Sequence, residues 1–251
     1  MSVFKNLHHA LRSFSPRREI GRGGVVSRTF VCGDVASFAA LTERLGDPGA
    51  LDAIRRMLKT VNSEAAVRGG RDLELRGDGF LLAFRSPPAA VRCAVAIQRG
   101  LESDREANPS EPVEVRMAVH AGEVLRCGDR FFGRTLIAAF RLLDQAEAGE
   151  ILVSSPARPH VPHSWRYCLS VERSFEPRGL EGSMRFAQMD WARTLPDPSG
   201  FLGGRARPLT VRRAGAAIRE GAMERPNGTQ LPPSRSHVLD AELFTARSKV
   251  G

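Results

Sequence analysis

The feature that most limits how this chain can fold is an ordered alternation between Arg28 and Met189. Apolar runs of strand length are interleaved with longer stretches whose apolar residues recur every three or four positions. Residues 28–34 form a short apolar run ending on an aspartate, as a buried strand does. Asp47 and Pro48 then open a helix: the aspartate caps it, the proline sits in its first turn, and Leu51, Ile54, Leu58, Val61 and Ala65 repeat on one face. Gly69 and Gly70 stop it. Residues 72–75 and 80–84 flank Gly77, Asp78 and Gly79 as the two arms of a hairpin. Ser86 and Pro87 begin a second helix with Val91, Ala94, Ile97 and Leu101 inward. Residues 113–120 form the next strand, followed by a glycine turn and a short strand near Val124. A third helix is expected over 135–146, with strands at 150–154, 166–171 and 185–189. The order β-α-β-β-α-β predicts an α+β fold, a ferredoxin-like antiparallel sheet with helices packed on one face.

The net charge of +9 divides unevenly along the chain. Residues 1–27 carry five Lys/Arg against one Asp/Glu, residues 192–251 carry ten against five, and the middle holds 22 of each sign. Binding to a phosphate backbone needs a basic patch on the folded body. Here the excess lies at the ends, so no specific nucleic-acid partner is expected. Residues 1–27 read as a flexible basic leader, and residues 192–251, rich in Pro, Gly, Arg and Ser, as a disordered tail. No run approaches the ~18 apolar residues of a membrane span, and the N-terminus lacks the apolar region of a secretory signal. The cytoplasm is therefore the expected compartment. The four cysteines (Cys32, Cys93, Cys127, Cys168) have no zinc-ligand spacing and are expected to be reduced core thiols.

Several short motifs occur in a telling order: residues 29–38 (TFVCGDVASF), 41–47 (LTERLGD), 77–80 (GDGF), 119–124 (VHAGEV), Phe132 with Gly133, Arg141 with Leu142, and 149–155 (GEILVSS). Over residues 28–191, in this order and spacing, the chain resembles the catalytic domain of the class III nucleotidyl cyclases. The resemblance implies a reaction in which a ribose 3′-oxygen attacks the α-phosphate of ATP or GTP and expels pyrophosphate. It also implies a homodimer, or a heterodimer with another cyclase chain, whose active sites lie between the subunits. Asp34 and Asp78 take the place of the ligands for two Mg²⁺ or Mn²⁺ ions, hard cations that prefer carboxylate, phosphate and water oxygens. The backbone of Val35, Ala36, Ser37 and Phe38 is expected to cradle phosphates through its N–H groups.

Other family positions are kept, altered or lost. Glu74 occupies one purine-reading position, where a carboxylate accepts from guanine N1–H and its 2-amino group. Arg130 occupies the second, usually Asp or Cys, and can only donate. Arg141 matches the arginine that stabilises the transition state, while the ribose-orienting Asn is replaced by Ile137, which cannot hydrogen-bond. Arg178 stands where a lysine clamps the triphosphate, keeping the charge with a planar fork. One subunit would supply Asp34 and Asp78, its partner Glu74, Arg141 and Arg178. Two functions follow: an active cyclase, or a weak or inactive cyclase homology domain serving as a nucleotide-binding or dimerisation module. His120 is expected to be a satisfied core group, and the Pro-flanked pair His160 and His163 not to bind metal.

Overall fold

The computed structural model describes residues 24–76 and 78–195, without the side chains of residues 72–76. The elements are β1 (Gly24–Val35), α1 (Phe38–Val67), β2 (Arg71–Arg76), β3 (Gly79–Phe84), α2 (Pro87–Ala107), β4 (Val115–Cys127), β5 (Arg130–Phe132), α3 (Arg134–Leu143), β6 (Ile151–Ser154), β7 (Arg173–Phe175) and β8 (Met184–Gln188). The first strand starts inside the stretch read as leader, and Thr194 and Leu195 are the last residues described. The rest of the expected leader and tail lies outside the described residues.

The sheet order is β2-β3-β1-β4-β6-β8-β7, with β5 paired to β4. The first four strands form the expected ferredoxin-like unit, each neighbouring pair antiparallel. The extension departs from the expected pattern, because β6 joins β4 in parallel. Residues 128–150, which contain α3, make the crossover that a parallel pair requires.

The two helices of the βαββαβ unit, α1 and α2, pack on one face of the sheet as expected, and α3, which follows that unit, adds a layer on the other. Strand periodicity sends Val31 and Val35 of β1 to one side and Phe30 and Cys32 to the other. Val31, Phe80, Leu82 and Phe84 pack with Met57, Val61, Ala94 and Ile97 of α1 and α2. Phe30, Cys32, Leu81 and Ala83 pack with Leu136, Ala139, Phe140 and Leu143 of α3. The sheet is thus covered on both faces, which explains why β1 and β3 read as continuous apolar runs rather than alternating ones.

Helix α1 begins at Phe38 rather than Asp47. Its backbone leaves the helical region at Gly46 (φ 68°, ψ 168°), and Pro48 follows the break in the first turn of the second segment. Residues 47 and 48 therefore restart a helix instead of opening one. The buried face is Ala50, Ala53, Ile54, Met57, Val61 and Ala65, whereas Leu51 is 50% exposed. The strand expected over 166–171 is replaced by a 3₁₀ turn, His163–Cys168, which Pro162 precedes. That turn buries Trp165 and Cys168, a spacing of three that suits a tight helix and not a strand.

Candidate functional site

Two strands and a hairpin place the acidic centre. Strand β1 approaches its neighbours so closely at Gly33 that a Cβ there would lie 2.5 Å from Phe80 Cζ and 2.9 Å from Met117 Cγ. The next residue, Asp34, points to the α3 side and pairs across the sheet with Gly79 and Arg116. At the end of β1 the Val35 N–H donates to the Asp78 carbonyl (2.9 Å), fixing the hairpin tip against the strand end. Asp34 and Asp78, 44 positions apart in sequence, are thereby brought together.

Asp34 is only 5% exposed, and a single guanidinium satisfies it: Arg116 donates through Nε to Oδ1 (2.6 Å) and through Nη2 to Oδ2 (3.1 Å). This bidentate pairing raises the Arg116 pKa, its hydrogen bond to Asp34 outweighing burial. Asp78 is held above the usual carboxylate range, first by desolvation and then by the charge of Asp34. Asp144, at the end of α3, is raised mainly by burial, with Arg141 and Arg116 opposing and Asp34 adding to it. A line of interacting charges thus runs Asp78, Asp34, Arg116, Asp144, Arg141, with like charges only at its first step. Sequence reasoning missed Arg116 and Asp144; the available signal for Arg116 was its place on the strand expected to neighbour Asp34.

Part of the backbone expected to cradle phosphates is engaged within the fold. The N–H groups of Val35 and Ala36 already donate to the carbonyls of Asp78 and Glu114. The first intrahelical bond runs from Leu41 N–H to Ser37 C=O, so the donors an α-helix leaves without internal partners are those of residues 38–40. Ser37 is the one non-glycine residue at positive φ (55°) among the described residues, and its side chain makes no cap bond. An L-residue in that conformation costs roughly 1 kcal/mol and turns the chain sharply from β1 into α1.

Of the other expected site residues, Ile137 and Arg141 lie on α3. Arg141 donates through Nε to the Arg178 carbonyl (2.8 Å) and through Nη1 to Asp144 Oδ2 (3.3 Å), which joins the 178 loop to α3. The Arg178 side chain is exposed, as is Arg130 on β5. Ile137 is half-buried one turn before Arg141. Glu74 follows an irregularity in β2 and pairs with Leu81 in register; its side chain lies outside the described atoms. His120 is buried, yet its Nδ1 has no hydrogen-bond partner among the described residues, which corrects the expectation of a satisfied group. The four cysteines are free and buried, and burial pushes the Cys93 thiol up to about 12.

Asp34 and Asp78 are the carboxylates that could hold a divalent cation, and their hard oxygens suit Mg²⁺ or Mn²⁺. No group of three His, Cys, Asp or Glu side chains is clustered for a metal among the described residues. A cation at this pair could take further ligands from phosphate and water oxygens. At Asp34 it would compete with the Arg116 guanidinium. No helix among the described residues is long and apolar enough to cross a membrane.

No protein-family model matches the chain. The adenylate cyclase of Glutamicibacter nicotianae is 28% identical over 148 residues, 59% of this chain and 35% of that protein. Among solved structures, the adenylyl cyclase CyaB from P. aeruginosa superposes with a TM-score of 0.60 at 22% identity, covering 69% of this chain and 99% of that one. The guanylate cyclase domain of RhGC from Catenaria anguillulae, solved in complex with GTP, gives 0.55 at 18% identity, covering 65% and 95%. The chain has the fold of the class III adenylate and guanylate cyclase catalytic domains, the group it resembles in sequence. It spans about a third of most curated relatives it matches, and a tenth of the serine/threonine-protein kinase pkn2 of Myxococcus xanthus, with which it shares 37% identity over 83 residues.

Proposed function

We propose that this chain is a nucleotidyl cyclase domain that converts a nucleoside triphosphate into its 3′,5′-cyclic nucleotide and pyrophosphate between two subunits. The observation that carries the reading is the closure of buried Asp34 and half-buried Asp78 and Arg116 into one charge cluster at the end of β1. A carboxylate pair, one member buried and one half-buried, beside a cation-bearing strand matches a group that must hold metal and triphosphate together. Asp34 and Asp78 would hold one or two Mg²⁺ or Mn²⁺ ions, which supply charge neutralisation and lower the pKa of the attacking 3′-hydroxyl.

The chain's own residues account for the remaining work. With a cation held by Asp34, Arg116 would lie beside it and could turn its fork to phosphate oxygens. The N–H groups at the start of α1 face the same strand end and can receive a phosphate. From the partner subunit, Arg141 would meet the charge that develops on the α-phosphate, and Arg178 would hold the triphosphate tail. Glu74 favours guanine over adenine, because a carboxylate opposite adenine N1 sets acceptor against acceptor. The domain limits (28–191), the dimer and a location in the cytoplasm belong to this same reading.

A second reading is supported by a specific observation. Ile137 offers the ribose no hydrogen bond, and Arg141 is already engaged by the Arg178 carbonyl and Asp144. A domain that binds metal and nucleotide without useful turnover has this look. The two are separated by incubating concentrated protein with ATP or GTP and Mn²⁺ beside an Asp34→Ala control. Cyclic product above the control supports the enzyme. Saturable nucleotide binding with no product above the control supports the binding module, and cAMP in large excess over cGMP overturns the role given to Glu74.

A further inference from the structure

The far end of the sheet holds a second concentration of charge that the cyclase reading does not use. Strand alternation puts Arg28 of β1, Arg126 of β4 and Arg71 of β2 on the α3 side, and Arg85 follows β3 in the same phase. Arg68, in the turn after α1, completes the wall. These five arginines line one cleft of about 260 Å³ with Ala83, Ser86 and Phe131. The mid-chain neutrality of the sequence concealed this, since the charges are segregated only by folding.

Two of the five are compensated: Arg68 pairs with Glu64, and Arg71 with Asp129 at 2.7 Å. Arg28 donates to the Ser27 carbonyl and lies over the Phe131 ring, its carbon 5.7 Å from the centroid. Arg126 donates to the Gly128 carbonyl at 2.9 Å. No carboxylate pairs with Arg28, Arg85 or Arg126 among the described residues. The pKa of Arg28 is lowered, first by burial and then by repulsion from Arg85 and Arg126. Like charges left together at a cost to the folded chain are what an anion site requires in its empty state.

The excess of three positive charges sets the ligand's charge, and the forked donors set its chemistry. A single carboxylate leaves two charges over, whereas a pyrophosphate group carries about three negative charges near neutral pH, given a terminal pKa near 6 to 7. The Phe131 face is occupied by Arg28, so the cleft offers no platform for a stacked base. It lies away from the acidic centre: Arg28 and Asp34 are six residues apart on one strand, about 20 Å, farther than a triphosphate bound at Asp34 extends, while Glu74 and Arg130, the expected base-reading positions, adjoin it on β2 and β5. We propose that this arginine cleft is a binding site for a polyphosphate chain, either free pyrophosphate or the tail of a nucleoside polyphosphate.

The test is calorimetric titration of the full chain with inorganic pyrophosphate and, separately, with GTP, both in EDTA so that no divalent cation occupies the acidic centre. Saturable binding is expected at or below about 1 mM. Arg85→Ala with Arg126→Ala should weaken it by about tenfold or more, the scale of losing charge-assisted hydrogen bonds, while Arg178→Ala leaves it intact. Because Arg85 is exposed, Arg85→Ala alone keeps the fold and should give a smaller loss in the same direction, with an unchanged melting temperature. Equal affinity for the two probes assigns the site to free pyrophosphate; a preference for GTP of tenfold or more assigns it to a nucleoside-borne chain. Absence of saturable pyrophosphate binding overturns the proposal. So does a loss in Arg178→Ala equal to that in the cleft variants, or self-association of the chain that the cleft variants abolish without any pyrophosphate binding. None of these readouts uses turnover, so a failed cyclase assay and a failed cleft are distinguishable.

Discussion

Replacing Arg116 with alanine tests the organisation of the acidic centre most directly. The change leaves Asp34, whose side chain is 7% exposed, without its bidentate partner and beside Asp78. Removing one member of a fully buried pair costs about 3–5 kcal/mol. Arg116 is itself 28% exposed, so water reaches the vacated space and the expected loss is nearer 2–4 kcal/mol. For a chain of 251 residues that corresponds to a melting temperature lower by roughly 5–15 °C. The assay is thermal unfolding followed by circular dichroism in EDTA for the parent, Arg116→Ala, Asp34→Asn and the double variant. The double variant should be less damaged than the two single losses added, with a coupling of about 2 kcal/mol. Millimolar Mn²⁺ should then restore part of the loss in Arg116→Ala, where both carboxylates are open, and none in Asp34→Asn. A melt for Arg116→Ala within about 2 °C of the parent would refute the reasoning, as would equal rescue of both variants by Mn²⁺.

Gly33→Ala forces its new methyl group against Phe80 and Met117 and should cost about 1–3 kcal/mol, read as a lower urea midpoint; an unchanged midpoint would mean that β1 is not held as close as described. Ile137→Asn supplies the missing ribose contact and, on the cyclase reading, should raise the rate of cyclic product formation by roughly tenfold or more; no gain would show that position 137 does not face the ribose. Burial alone lowers the His120 pKa to about 4 from its unfolded value of 6.5. The unfolded chain then binds the extra proton between those values, so stability falls as pH drops from 6.5 to 4, by about 3 kcal/mol in total. His120→Gln should flatten that part of the pH–stability curve, and an unchanged slope in urea titrations would remove His120 as its source.

The fold was legible where one signal dominated. The apolar runs ending at Asp34 and starting at Phe80 located β1 and β3, and the hairpin glycines located the turn between β2 and β3. Their continuous apolarity also carried the information that both sheet faces are covered, but a short apolar run does not say which helix covers which face. Only the crossover through α3, which brings β6 parallel to β4, decides that. The helix start was misplaced because Asp47 and Pro48 form a strong local signal, whereas Ser37, in a left-handed conformation without a cap bond, gives a weak one. The strand expected at 166–171 failed for a similar reason: its apolar residues fit two periods, and burial of Trp165 and Cys168 chose the tighter one.

The candidate site was legible in its acids and not in its cations. Asp34 and Asp78 stand in motifs, but Arg116 becomes functional only through a cross-strand register that a single sequence does not contain. That register has a consequence for how ligands load. With Arg116 seated on Asp34, a cation that arrives alone competes with a bidentate guanidinium and, if it wins, leaves Arg116 without a hydrogen-bonded anion, held only by the charges of Asp144 and Asp78. A cation arriving with a triphosphate gives the released Arg116 a phosphate oxygen in exchange. On the cyclase reading, metal and nucleotide therefore strengthen each other's binding by the same factor, as linkage requires. Mn²⁺ titrations with and without a non-cyclisable GTP analogue measure that factor, which should shrink toward unity in Arg116→Ala. If it stays the same in the variant, Arg116 is a structural partner of Asp34 and nothing more.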